Sequence, residues 1–182
     1  MPDTFETAEV TPRENLTDSR RRSRRPEGVL DRIAPHSLEA ERGVLGCMLL
    51  DPMENIGICL ERLKRGKDAF YDLRHQELFE ELVLMYDAKI GIDLLTVRQR
   101  LKDQNKLDSI GGMELLVSLQ DATPSPLNLP YYLDIVKEKY TLRRMVQVCS
   151  SVVERVYDPE QSADVESLMD EVEKDIMSVT ED

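Results

Sequence analysis

"YYLDIVKEKYTLRRMVQVCSSVVERVYD", Tyr131 to Asp158, passes 28 residues without a glycine or proline. Its later half places Leu142, Met145, Val146, Cys149, Val152, Val153 and Val156 at the spacing of one helical face. A helix this long is unusual in a globular domain. "DPEQSAD" then turns the chain, and "VESLMDEVEKDIMSV" repeats the pattern with Val165, Leu168, Met169, Val172, Ile176 and Val179. Two long striped helices joined by a short turn predict an antiparallel helical hairpin. A hairpin covers only one side of its apolar stripe, so the other side must bury against the rest of the chain or against a second copy. The self-association candidates are Leu142, Met145, Cys149, Val152 and Val156 on one helix, and Val165, Leu168, Met169, Val172 and Ile176 on the other. Each can equally serve the core of the hairpin itself.

Upstream of the hairpin, shorter helices follow one another. In "PHSLEAERGVLGCMLLD", Ser37 is an N-cap, Glu39 and Glu41 suit the first turns, and Leu38, Val44, Leu45, Met48 and Leu49 keep helical spacing. Gly43 and Gly46 lie on this helix, where glycine costs about 1 kcal/mol relative to alanine. Their presence predicts another element packed close to the backbone. Asp51 and Pro52 open a second helix. "FYDLRHQELFEELVLMYDAK" is a third, with Leu78, Phe79, Leu82, Met85 and Tyr86 on one stripe and His75 read as a partly exposed residue near its start. "DLLTVRQRLKDQNKL" is a fourth, carrying Leu94, Val97 and Leu101. Gly111 and Gly112 end that unit by admitting backbone angles other residues avoid. "MELLVSLQDA" makes a short fifth helix, "TPSPLN" breaks it through Pro124 and Pro126, and Asn128 caps the long helix with Pro130 in its first turn. The fold class is therefore all-α: an arm over residues 1–34, a compact helical head over 35–138 and the hairpin over 139–182.

Charge divides along the same lines. Residues 1–35 hold seven arginines and seven carboxylates, so the formal −12 of the whole chain lies in residues 36–182. A body so acidic repels a phosphate backbone, whose neutralisation by Lys and Arg supplies most non-specific nucleic-acid affinity. The arm, low in hydrophobicity, is read as disordered. Its "RRRSRRP" segment, with Arg20, Arg21, Arg22, Arg24 and Arg25, is either a contact for nucleic acid or an acidic surface, or a solvated tail. From Asp158 onward ten carboxylates face one cation, Lys174. That acidity is either a solvated helix face or a docking surface for a basic partner.

Catalytic patterns are missing. Cys47, Cys59 and Cys149 are far apart, His36 and His75 are the only histidines, and no zinc-ligand spacing arises. A phosphate-binding loop needs G-x-x-x-x-G-K-[ST]. Around Gly66-Lys67 the first glycine position is Glu61 and Asp68 follows the lysine. Neither G-x-G-x-x-G nor G-x-S-x-G occurs. The absence of a signal peptide's apolar core and of any run near 20 apolar residues predicts a soluble, intracellular protein with no membrane contact. No enzyme activity and no cofactor are expected of this chain.

Three segments carry a resemblance. "PHSLEAERGVLGCMLLD", "FYDLRHQELFEELVLMYD" and "GIDLLTVRQRLKDQNKLDSIGGMELLVSLQDATPSPLNLPYYLDIVKEKYTLRRM" resemble, in order, the N-terminal domain of the bacterial replicative DNA helicases, the DnaB family. The most specific parts are P-H-S-x-E-A-E, F-Y-x-x-x-H-x-x-L-F, I-D-L-x-T, L-D-x-x-G-G, T-P-S and N-x-x-Y-x-x-I-V. The likeness runs from about Pro35 to the C-terminus and leaves the arm outside.

This resemblance implies a helical head and hairpin, pairing of hairpins between subunits as a dimer or a six-membered collar, and docking of primase or a helicase loader in the bacterial cytoplasm at the replication fork. ATP and magnesium are expected only for a RecA-like domain that this sequence lacks, as an excised domain or a stand-alone relative. Gly111, Gly112, Pro124 and Pro126 would set the angle between head and hairpin. A second class of function is a nucleic-acid-binding accessory protein that uses the Arg20–Arg25 arm, with DNA otherwise bound only weakly.

Overall fold

In the computed structural model, residues 33–159 and 164–180 are described, and Ala34–Asp182 gather into one unit by their contacts. The described residues form seven α-helices and no strand: α1 (Leu38–Leu50), α2 (Pro52–Arg62), α3 (Leu73–Asp87), α4 (Leu94–Asp103), α5 (Gly112–Asp121), α6 (Leu129–Tyr157) and α7 (Val165–Thr180). The all-α expectation holds, with α6 and α7 pairing as the hairpin. The head and the hairpin share α6, which runs without interruption for 29 residues.

Local chemistry explains most of the boundaries. Ser37 Oγ accepts the Ala40 N–H at the start of α1, and the Asp51 carboxylate accepts the Glu54 N–H with Pro52 in the first turn of α2. Asp93 and Thr96 cap α4 reciprocally, each side chain accepting the other's backbone N–H. Gly111 (φ 102°) and Gly112 (φ 72°) turn the chain into α5 through the left-handed region. One expected cap is corrected. Asn128 makes no side-chain cap bond, because a 3-10 turn over Pro126–Asn128, capped by Ser125, leads directly into α6.

The core is built around α1. Val44, Leu45, Cys47 and Met48 are fully buried, and the helix packs against α2, α3, α5 and α6. Gly43 and Gly46 permit this contact, as their spacing predicts. A Cβ on Gly43 would lie 2.7 Å from the Tyr132 ring of α6, and one on Gly46 would overlap the Thr123 hydroxyl beyond α5. Leu78, Phe79, Leu82 and Met85 of α3, Val97 and Leu101 of α4, and Leu115, Leu116 and Leu119 of α5 complete the core.

A second correction concerns α3. His75 is not partly exposed but only 1% accessible, with Nδ1 2.7 Å from the Glu41 carboxylate of α1, itself 2% accessible. Burial of a carboxylate demands partners, and Glu41 also accepts the backbone N–H groups of Tyr71 and Asp72.

Candidate interaction surface

The early part of α6 belongs to the head, where Leu129, Leu133 and Val136 are buried. Beyond Tyr140 the helix leaves the core and its stripe opens. Leu142, Met145, Val153 and Val156 are exposed, Cys149 is an exposed free thiol, and Val152 is half-buried. On α7, Val165, Met169, Ile176 and Met177 are exposed and Val172 is half-buried. Among the described residues, Val148, Leu168 and Val179 are the buried apolar residues of the hairpin.

Arg155 fixes the register of the two helices. Its guanidinium donates to Glu171 at 3.3 Å and to Asp175 at 2.6 Å across the hairpin. The side chain lies mostly covered, which screens these pairs less than open water would. Together the helices leave an open apolar groove of about 810 Å³ lined by Val152, Val156, Val165, Leu168, Met169 and Ile176. Asp170 and Glu173 also line it, so two carboxylates join the apolar lining.

The residues expected to set the head-to-hairpin angle fall at two separate places. Gly111 and Gly112 join α4 to α5, whereas Pro124 and Pro126 lie between α5 and α6. Arg20, Arg21, Arg22, Arg24 and Arg25 lie outside the described residues. Gly66 and Lys67 occupy a 3-10 turn, where Lys67 pairs with Glu80 at 2.7 Å. Among the described residues, no group of three or more His, Cys, Asp or Glu is placed to hold a metal ion, and no helix is long and apolar enough to cross a membrane.

Sequence reading missed Arg143. From the middle of α6 it donates to the Pro35 carbonyl at 3.0 Å and the Ala69 carbonyl at 2.6 Å. Its guanidinium lies 5.8 Å from the centroids of both the Tyr71 and Tyr140 rings. Within "TLRRM" nothing distinguishes it from its exposed-looking neighbours. Glu41 and His75 did carry a signal. Glu41 shares a helical face with Val44, Leu45 and Met48, and His75 shares one with Leu78, Phe79 and Leu82. A polar residue on an apolar stripe calls for a buried partner.

A helical head followed by a hairpin with exposed apolar residues defines an all-α domain. Residues 33–138 match the family described as DnaB-like helicase N terminal domain, and the chain belongs to that family. It is 37% identical over 179 residues to the replicative DNA helicase DnaB of Rhodothermus marinus, covering 97% of this chain and 18% of the relative. It is 36% identical over 151 residues to the Geobacillus stearothermophilus DnaB, covering 83% of this chain and 32% of that protein. The chain thus spans a third or less of the helicases it matches, in their N-terminal part. The crystal structure of the N-terminal domain of DnaB helicase from Mycobacterium tuberculosis superposes with a TM-score of 0.73 at 34% identity, covering 80% of this chain and 99% of that one. A DnaB-like replicative helicase whose structure was described with its interactions with primase shares the fold, with a TM-score of 0.59 at 23% identity over 75% of this chain and 31% of that one.

Proposed function

We propose that this chain is the non-catalytic assembly and docking module of a DnaB-type replicative helicase in the bacterial cytoplasm. Its hairpin pairs with the hairpin of a neighbouring subunit, and the paired hairpins build a collar that receives primase or a helicase loader during DNA replication. ATP, magnesium and translocation on DNA belong, on this reading, to a RecA-like domain outside this sequence.

The observation that carries the reading is the exposed apolar face of the hairpin. Val156, Val165, Met169 and Ile176 are all exposed along two adjoining helices, around a groove whose lining also carries Asp170 and Glu173. Contiguous apolar patches of this kind mark protein interaction sites. The primase interaction described for a helicase of the same fold supports the docking half of the proposal.

Sedimentation across a concentration series, with and without bacterial primase, tests both halves. Concentration-dependent growth to a dimer or hexamer that then co-sediments with primase is the expected result. A strict monomer that ignores primase at every concentration would overturn the reading for this chain.

A further inference from the structure

We infer that the buried Glu41–His75 pair is a joint that fixes where α6 leaves the head, acting on the helix through Tyr71 and Arg143. The inference concerns geometry within one chain and does not rest on the collar.

The chain of contacts begins in the core. Glu41 of α1 and His75 of α3 are both inaccessible, 2.7 Å apart, and the His75 Nε2 has no hydrogen-bonding partner among the described residues. Glu41 is therefore the polar contact on which the imidazole depends. The same carboxylate accepts the Tyr71 N–H at 2.6 Å and the Asp72 N–H at 3.3 Å. A buried carboxylate stripped of these donors would bear an uncompensated desolvation cost, so the Tyr71–Asp72 backbone is held in one place.

The fixed backbone positions a ring. Tyr71 stacks on His36 with centroids 4.3 Å apart and planes 14° apart, and presents its ring to the Arg143 guanidinium. Arg143 then grips two separate stretches of head backbone, through the carbonyls of Pro35 and Ala69. Burial pushes the Arg143 guanidinium down from its ordinary range, while the charge of Glu41 is first among the influences that pull it back up, ahead of Tyr140 and Tyr71.

The position of Arg143 gives the network its consequence. The first turns of α6 are secured by their buried leucines and by Arg62, which donates to the Pro130 carbonyl and pairs with Asp134. Arg143 stands where the apolar stripe passes from core to open face. A grip at that point decides the direction in which the hairpin projects, and the Tyr71 ring is the part of that grip which the buried pair positions, beside the two carbonyls and the Tyr140 ring.

The test is a distance measurement on the whole chain. Spin labels go on the exposed native Cys149 and on an exposed head position, Lys102→Cys. Cys47 and Cys59 are buried, with burial pushing their thiols up to about 11 and about 12, so they stay unlabelled. Dilution with unlabelled protein confines the signal to one chain. The parent gives one narrow distance distribution. Arg143→Met, Glu41→Gln and Tyr71→Leu each broaden and shift it, and Glu41→Gln with Arg143→Met broadens it no further than Arg143→Met alone.

Asn55→Ala provides the control for general loosening. It removes a buried hydrogen bond to the Cys47 carbonyl elsewhere in the head, and it lowers the melting temperature without broadening the distribution. A Glu41→Gln chain that melts cooperatively and keeps the parent distribution overturns the inference, as does equal broadening by Asn55→Ala. Should Glu41→Gln fail to fold, Tyr71→Leu leaves the buried pair intact and decides: a parent-like distribution rejects the joint.

Discussion

Gly46 has no room for a side chain. Its added methyl would overlap the Thr123 hydroxyl and sit 2.5 Å from the Leu119 carbonyl, and that hydroxyl is already committed to Leu119 at 2.8 Å. Gly46→Ala is therefore expected to cost roughly 1–3 kcal/mol of overpacking, a loss larger than the helix-propensity gain of about 1 kcal/mol. Gly43→Ala meets only side-chain atoms, the half-buried Tyr132 ring at 2.7 Å, and no backbone, and should cost less. Urea midpoints rank the two, and the reverse order would reject the packing argument. Asp72 gives a pH signature at the same scale. The Arg74 side chain and then its backbone N–H hold the Asp72 carboxyl at about 2, below its ordinary 3.8, against the upward push of burial. The stabilisation is complete above about pH 4 and lost as pH falls toward 2. With Arg74 half-exposed it amounts to less than about 1 kcal/mol. Asp72→Asn should melt lower than the parent at neutral pH and converge with it near pH 2. Such single-residue environments were legible only in part. The glycine spacing announced a close approach, whereas the Glu41–His75 pair spans 34 positions that no local period connects.

At the scale of elements, α7 depends on its partner. A 16-residue helix is marginal alone in water, and here it is tied to α6 by the apolar contacts of Leu168 and Val179 and by the two ion pairs of Arg155. Arg155→Met keeps the apolar stem and removes both pairs, leaving Glu171 and Asp175 to repel each other one turn apart. Amide exchange in α7 is expected to quicken by up to about tenfold, equivalent to about 1.4 kcal/mol, while α1 exchanges as before. Equal acceleration in both helices would show that Arg155 supports the whole fold rather than the hairpin. Helices as long as these declare themselves through periodicity. The 3-10 turns over Gly66–Ala69 and Pro126–Asn128 are too short to show a period. The second of them brings Asn128 to φ −82° and ψ −1° rather than the extended geometry that a capping side chain requires, which is why that cap failed.

For the whole molecule, the question is which part of the hairpin stripe the chain buries itself and which it leaves exposed. Spacing alone places Leu168 and Met169 on the same stripe, because adjacent positions at i+3 and i+4 both face the partner helix. The structure separates them: Leu168 is 9% accessible and Met169 is 68% accessible. The head was legible because its stripes close on one another within a single core. The hairpin was legible as a pair of striped helices, but which stripe residues it buries was not, because the spacing alone does not separate them. That division has opposite consequences for two substitutions one residue apart. Leu168→Ala deletes buried methyl groups and should destabilise the chain by about 2 kcal/mol, near the low end for a core leucine since the site lies at the groove. Met169→Lys alters an exposed position and should leave stability within about 0.5 kcal/mol, while placing a strongly hydrated cation in the centre of the proposed subunit contact. Melting curves and sedimentation on the same two variants separate the roles: the first should melt early, and the second should melt as the parent does yet remain monomeric at concentrations where the parent associates. Association of Met169→Lys at parental strength would remove this face from the proposed collar and move the search to the surface of the head.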